Sequence, residues 1–388
     1  VVATRQRLAR YGWLPLLLSL VAAGTPHAWA EPVRSEAPVA SAQPPTRLAV
    51  WGLRHDHVWW LFPQIKETEG AQLVAVGGER EDLLERARRG AGEGVTTYRD
   101  LATMLDTERP DALLALVPNA EHLPTLREAA RRKIHYYTHK PGATSPGDAR
   151  EMDRLATAAG IVTLIYCYPV FDRANQLLFS RWQEGAVGPV RKLLVMSGIQ
   201  GPRGLRVLSA DYQAWIYDPA QHGGGSLMDM GTYGLLYAAW ILGRPSSVMA
   251  MVSRHAPDDN PGAEDESWIL LDYPGASAVI QGSWSMPFRQ IGEIVISGPK
   301  GQLRNWEGQV LFRPRAPDAK TAGPENGVAT PAPEPPAGRK HGVAHFVDAI
   351  RSGTVVHPAF TTAMHVKVAE IADAAYRSAR TGRRVVLR

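Results

Sequence analysis

Residues 48–76 read LAVWGLRHDHVWWLFPQIKETEGAQLVAV. They predict a short apolar strand from Leu48 to Trp51, a turn opened by Gly52, a helix to about Glu69 and a second strand from Gln72 to Val76. Strand, glycine turn, helix and parallel strand make one βαβ unit, the repeat of a doubly wound sheet. The rhythm continues with helices at 81–89 and 100–106, a strand at 112–117, a helix at 123–132 and a strand at 134–138. A last αβ unit runs from Pro146 through a strand at 162–166. Residues 47–167 are therefore expected to form a Rossmann-type domain that binds its ligand at the carboxyl ends of the strands.

The pattern then changes. Helices are predicted at 172–184 and 226–242, and strands at 190–197, 247–254, 267–273, 276–284 and 290–297. Consecutive strands without intervening helices predict an antiparallel or mixed sheet covered by helices on one face. The expectation is an α/β protein with a second domain over 168–388. Within it, 314–340 is dense in Pro, Ala and Gly and is expected to be a mobile surface excursion, and a closing helix from His365 to Thr381 stops before Gly382.

Upstream of the first strand, Arg5, Arg7 and Arg10 precede an apolar run from Trp13 to Ala23, and Ala28-Trp29-Ala30 offers small residues where a signal peptidase cuts. Residues 1–30 are read as a cleaved export signal, because the run is well short of the roughly 20 residues a membrane span needs. Residues 31–46, rich in Pro, Ala and Ser, are read as a flexible leader. The expected location is periplasmic or secreted, with no stable membrane insertion. Without the three signal arginines, 40 basic residues face 38 acidic ones. With no basic stripe among aromatics, this near-balance gives no support to nucleic-acid binding. Cys167 is the one cysteine, which excludes an internal disulfide and a cysteine-rich metal site.

The turn after the first strand is the expected pyrophosphate cradle. A G-x-G-x-x-G run there lets the backbone approach the phosphates, but this chain has Gly52-Leu53-Arg54-His55-Asp56-His57 and keeps the first glycine alone. Arg54 offers a phosphate partner, and His55 is expected to face the nicotinamide or substrate cleft. After the second strand, Gly78-Glu79-Arg80 replaces the usual ribose-binding acid. Arg80 leans toward a 2′-phosphate and NADP, while Glu79 keeps NAD open. Adjacent residues on a turn rarely aim at one ion, and His55, Asp56 and His57 have no further ligand identifiable in the sequence, so no metal is expected.

His139-Lys140-Pro141 follows the strand at 134–138, at the sheet edge where the nicotinamide end is expected. In the second half, Gly223-Gly224-Gly225-Ser226-Leu227-Met228-Asp229-Met230-Gly231-Thr232-Tyr233 joins a glycine turn to a helix. Ser226 is expected to cap that helix, and Asp229 and Tyr233, four apart, to share a face. Trp215, Tyr217 and Asp218 either line a sugar pocket or pack the loop.

The Gly52 turn, Pro118-Asn119-Ala120-Glu121-His122, His139-Lys140-Pro141 and the GGGSLMDMGTY run, in this order and spacing, resemble the glucose-fructose oxidoreductase, inositol dehydrogenase and rhizopine-catabolism (Gfo/Idh/MocA) family. The resemblance runs from Arg47 to the C-terminus. It implies a Rossmann domain that takes NAD(P), with Pro118, Asn119, His122 and His139 beside the cofactor. It also implies an α/β domain whose sheet often mediates homo-oligomers. The family's catalytic lysine maps to Lys140, and its Asp-x-Gly-x-His motif maps to Asp229 and Tyr233. Two departures stand out, His139 for a glutamate and Tyr233 for a histidine.

The implied activity is hydride transfer between NAD(P) and a hydroxyl-bearing carbon of a sugar or cyclic polyol. Tyr233 would be the proton carrier, Lys140 would tune it, and Asp229 would hold the substrate hydroxyls. For an exported enzyme, free nicotinamide cofactor is scarce, so a tightly held cofactor is expected. An NAD-dependent glycoside hydrolase and a noncatalytic carbohydrate-binding descendant remain as alternatives.

Overall fold

Strands covered on both faces need apolar side chains at nearly every position, and the inner strands of the first sheet are built from such runs, while one edge strand is a short Thr-Thr-Tyr segment that the residue pattern did not announce. In the computed structural model, which describes residues 43–92, 94–204, 209–316 and 327–387, the first half runs as follows: β1 (Thr46–Trp51), α1 (Val58–Glu67), β2 (Ala71–Gly77), α2 (Glu81–Ala91), β3 (Thr96–Tyr98), α3 (Leu101–Glu108), β4 (Ala112–Ala115), α4 (His122–Arg131), β5 (His135–His139), α5 (Pro146–Ala159) and β6 (Thr163–Tyr166). The six strands are parallel, in the order β3-β2-β1-β4-β5-β6. The winding direction reverses between β1 and β4, which opens a crevice at their carboxyl ends.

Local chemistry sets the helix ends. The Asp100 carboxylate accepts the Thr103 N–H and starts α3, and Ser145 caps α5 with Pro146 in its first turn. Gly160, at φ +64°, stops α5.

The second half continues with α6 (Arg173–Gln183), β7 (Lys192–Gly198), α7 (Gly201–Gly204), α8 (Ala210–Ile216), α9 (Pro219–His222) and α10 (Thr232–Ile241), the last entered through a π-helical turn at Leu227–Gly231. Strands β8 (Ser247–Ser253), β9 (Glu266–Tyr273), β10 (Ala276–Ser283), β11 (Gln290–Gly298), β12 (Gly301–Trp306), β13 (Gln309–Pro314) and β14 (Val328–Pro331) follow. Then come α11 (Gly342–Ser352), α12 (Thr362–Thr381) and β15 (Val385–Val386). The nine strands are ordered β14-β13-β12-β11-β7-β10-β9-β8-β15, antiparallel except for the parallel β7–β10 pair.

Along β9, Ile269, Leu271 and Tyr273 point inward and Trp268, Leu270 and Asp272 outward, the alternation of a sheet with one buried face. Nearly every side chain of α10 is buried, because the helix lies against β7 and β10 on one side and α12 on the other. The opposite face of the sheet carries exposed Leu194, Met249, Met251, Trp268 and Leu270.

The structure adds elements that the residue pattern did not announce. Helices α7 to α9 are too short to show a period. In the stretch expected to be a mobile excursion, β14 pairs with β13, and Arg173 donates to the Ala332 carbonyl. The export signal and all of the leader before Gln43 lie outside the described residues.

The closing helices return to the first sheet. Thr362 Oγ1 donates to Asp153 (2.6 Å) and His365 Nδ1 to the Pro141 carbonyl (2.9 Å). Residues from Pro44 onward form one compact unit, in which α12 holds α5 and the loop after β5 and α11 packs against β1.

Candidate active site

At the carboxyl ends of β1, β2 and β4, a groove brings together Gly52, Arg54, Gly78, Glu79, Arg80 and Pro118. Gly52 sits at φ +91°, and a Cβ there would lie 2.4 Å from the Leu116 carbonyl oxygen. The first residue of the turn therefore has to be glycine for β1 and β4 to close.

The donors of this groove are partly committed. Arg54 is bonded to Glu121 at 2.6 Å, and Arg80 is held by Asp82 and Asp211. The first N–H groups of α1 donate back to the His55, Asp56 and His57 carbonyls, so fewer are left for a phosphate than in a three-glycine turn. Two guanidinium groups and the Glu79 carboxylate still suit the phosphates and ribose hydroxyls of a dinucleotide.

Beyond the groove, β5 ends at His139-Lys140, followed by a cis Lys140–Pro141 bond and Gly142. Lys140 Nζ donates to Asp229 Oδ1 (2.5 Å) and to the Asp229 carbonyl (2.8 Å), and the other Asp229 oxygen accepts Trp284 Nε1–H at 2.8 Å. Both charged side chains are more than nine-tenths buried. Burial alone would raise the Asp229 carboxyl, but the Lys140 ammonium, with His222 and the Trp284 bond, holds it below the usual carboxylate range. An ammonium has three hydrogens, so Lys140 keeps one beyond the two that Asp229 takes.

Lys140 and Asp229 line a small enclosed pocket with Asn119, His222, Trp215 and Tyr168. Asn119 Nδ2 donates to the His222 carbonyl (2.8 Å), which ties the loop after β4 to α9. His222 Nδ1 lies 2.6 Å from the Gly224 carbonyl. A carbonyl only accepts, so Nδ1 carries the proton and Nε2 keeps a lone pair. Burial lowers the His222 pKa, with Asp229 acting against it. His222 was missed in the sequence; its one signal was its place directly before Gly223.

Tyr233 does not behave as expected. It is 2% exposed, does not line the pocket, and presents its ring face to Lys140, whose Nζ is 4.6 Å from the ring centroid. Burial, with Tyr168 and Asp229 nearby, pushes its phenol well above the ordinary value. The expected shared face with Asp229 assumed α-helical spacing, but the intervening turn is π-helical, and its wider i→i+5 winding shifts the register. Tyr168 takes the pocket position instead, and its hydroxyl accepts Arg289 Nη2–H at 3.0 Å.

Ser226 is not the helix cap. Its Oγ is buried without a partner among the described residues, and Glu264 Oε1 accepts the Gly225 and Leu227 N–H groups instead. The glycine run serves packing more than a ligand, because a Cβ on Gly224 (φ +153°) would lie 1.9 Å from the Tyr376 hydroxyl oxygen.

His122, expected beside the cofactor, is 1% exposed and holds the Gly142 carbonyl through Nδ1 at 2.9 Å, so it braces the Lys140 loop. Tyr217 and Asp218 pack the loop: the Tyr217 hydroxyl bonds Arg203 N–H and the Asp259 carbonyl, and Asp218 caps α9. Cys167 is fully buried, and burial pushes its thiol up to about 12, which leaves it unreactive.

The second wall of the pocket is made of imidazoles. His55 and His139 are buried and His57 half-buried, and one ring nitrogen from each lies within 4.8 Å of the others. His57 Nδ1 and His139 Nδ1 are 2.9 Å apart. Burial first, then the unfavourable charge coupling among neighbouring imidazoles and to Lys140, lowers the pKa of all three, His139 to about 3. The sequence placed His55 and His57 together but gave no sign that His139 joins them.

Residues 61–166 match the oxidoreductase family with an NAD-binding Rossmann fold, and residues 176–304 match the GFO/IDH/MocA C-terminal domain. A D-xylose 1-dehydrogenase (NADP(+)) of Haloferax volcanii is 27% identical over 300 residues, 75% of this chain and 85% of its own. A D-glucoside 3-dehydrogenase of Escherichia coli is 26% identical over 45% of this chain and 48% of its own. The crystal structure of an aldose-aldose oxidoreductase from Caulobacter crescentus, complexed with glycerol, is similar at a TM-score of 0.72 and 26% identity. It covers 88% of this chain and 100% of its own.

Proposed function

This chain belongs to the Gfo/Idh/MocA family of oxidoreductases, and from that premise we propose that it moves hydride between NAD(P) and a hydroxyl-bearing carbon of a sugar or cyclic polyol. The observation that carries the reading is the buried Lys140–Asp229 pair, set beside a histidine of fixed tautomer and adjacent to the dinucleotide groove. Relatives named as D-xylose and D-glucoside dehydrogenases support the substrate class.

Arg54, Glu79 and Arg80 would hold NAD(P) in the groove, where the bound cofactor would supply the hydride acceptor or donor. The chain's own residues handle the proton. Lys140 donates its remaining N–H to the substrate oxygen and stabilises negative charge developing there, and Asp229 fixes the ammonium. His222 Nε2 accepts the hydroxyl proton, and the Gly224 carbonyl on Nδ1–H steadies the imidazolium that results. Trp215 and Tyr168 line the pocket and give it aromatic walls of the kind that suit a sugar. Arg80, now paired with Asp82 and Asp211, would favour NADP if it turned to a 2′-phosphate.

Lys140→Met is the decisive variant. Turnover on any responsive sugar, read as NAD(P)H absorbance, should fall by about 100-fold or more while nucleotide affinity changes little. Unchanged turnover would remove the assignment.

Three further features belong to the same reading. The basic start, the apolar run and Ala28-Trp29-Ala30 support export, which N-terminal sequencing of the extracellular or periplasmic protein tests. A cofactor retained through purification fits an enzyme working where free nucleotide is scarce, and ultraviolet absorbance of the purified protein reads it. The exposed apolar face of the second sheet supports packing against a second copy of the chain.

A further inference from the structure

We propose that His55, His57 and His139 form a site for one divalent transition ion of the zinc type, opening on the pocket that holds Lys140 and Asp229. Three imidazoles with one coordination position left open are the donor set of a catalytic rather than a structural zinc site. An all-imidazole set favours zinc, nickel, cobalt or copper over magnesium or calcium.

Small ring movements bring the spacing to that of a bound ion. With Zn–N bonds of about 2.0–2.1 Å in a tetrahedron, ligand nitrogens stand roughly 3.3 Å apart, so the 2.9 Å between His57 Nδ1 and His139 Nδ1 has to widen by less than about half an ångström, while the widest pair of the triad, within 4.8 Å, has to close by up to about 1.5 Å. The sheet fixes the positions: His55 and His57 lie on the turn after β1, and His139 ends β5, with β4 hydrogen-bonded between those strands.

The surroundings orient the rings. His139 Nε2 lies 3.2 Å from the Tyr137 hydroxyl, the outer bond that sets a ligating histidine's tautomer. His57 stacks on Trp60 with centroids 4.0 Å apart, and His55 meets Tyr212 edge-on at 5.0 Å. Ligation would end the 3.2 Å bond that His55 Nδ1 accepts from the His57 N–H, because ligating through either nitrogen removes that lone pair. The Lys140 charge is already matched by Asp229, which limits its repulsion of an ion. The open position would take water or a substrate hydroxyl and lower its pKa.

The test needs neither nucleotide nor sugar, so its outcome is separate from that of the hydride-transfer reading. The full chain is stripped with a chelator and titrated with Co2+, reading the visible absorption of the four-coordinate ion, then with Zn2+ in competition. One equivalent of Co2+ should saturate the band and Zn2+ should displace it. His57→Gln and His139→Gln should each weaken Co2+ binding by about tenfold or more, while His135→Gln, at the far end of β5, should not. Thermal melts report whether each variant folds, and half-buried His57 decides the matter alone if His139→Gln does not. A missing band, or one unchanged in His57→Gln, overturns the site.

Discussion

His222, to which the residue pattern assigned no role, lies in the pocket where the family resemblance would place Tyr233 as the proton carrier. Because Tyr233 is buried behind Lys140, Tyr233→Phe is expected to leave kcat within about threefold of the parent. His222→Gln, which removes a general base, should lower it by about 10²-fold or more. Steady-state assays of the two variants on one sugar separate these roles. Lys140→Met carries a second consequence, because it leaves the buried Asp229 carboxylate without its cation. Breaking one side of a buried pair destabilises by about 3–5 kcal/mol, so a lower melting temperature should accompany the lost turnover.

At the scale of elements, the loops that join the strands decide how well the groove holds a nucleotide. The turn after β1 kept one glycine, and Arg54 is bound across the groove by Glu121, whose pKa burial raises against the pull of Arg54. Glu121→Gln should free Arg54 for phosphate and tighten NADP(H) binding by about threefold to tenfold, measured by calorimetry; weaker binding would mean that the pair holds the loop in its binding shape. The glycine turn before α10 is set by packing. Gly224→Ala forces a Cβ toward the Tyr376 ring and should destabilise the fold by roughly 2–4 kcal/mol in denaturant titrations.

Across the whole molecule, two buried histidines from distant segments hold the Lys140 loop: His122 binds the Gly142 carbonyl and His365 the Pro141 carbonyl. Burial depresses both to about 4 from 6.5. Below pH 6.5 the unfolded chain takes up protons that the folded chain refuses. The stability is complete above about 6.5 and declines as pH falls toward 4, by about 1.4 kcal/mol per pH unit for each group. The fall in urea midpoint from pH 7.5 to pH 5 should be smaller in His122→Gln and in His365→Gln than in the parent, since each variant removes one of the groups that sum to it. The proposed packing of the exposed sheet face against a second copy is tested at the same scale: on that proposal Leu270→Lys should shift sedimentation toward monomer, with melting of the monomer itself little changed.

Local pattern was enough for five of the six strands of the first sheet, because a strand buried on both faces needs a continuous apolar run and a parallel neighbour needs a helix between; the edge strand β3, Thr96-Thr97-Tyr98, carries no such run and was not legible. Lys140 and Asp229 were legible for a similar reason, since each follows a recognisable strand end or glycine turn. Which side chains meet was not legible. The register of Tyr233 turned on a π-helical winding that spacing does not reveal, and the cap of the helix came from Glu264, nearly forty residues from Ser226. His55 and His57 reached His139 because the sheet order places β4 between β1 and β5. Contacts between residues distant in sequence are fixed by the closing of sheets and the docking of helices, which only the tertiary structure supplies.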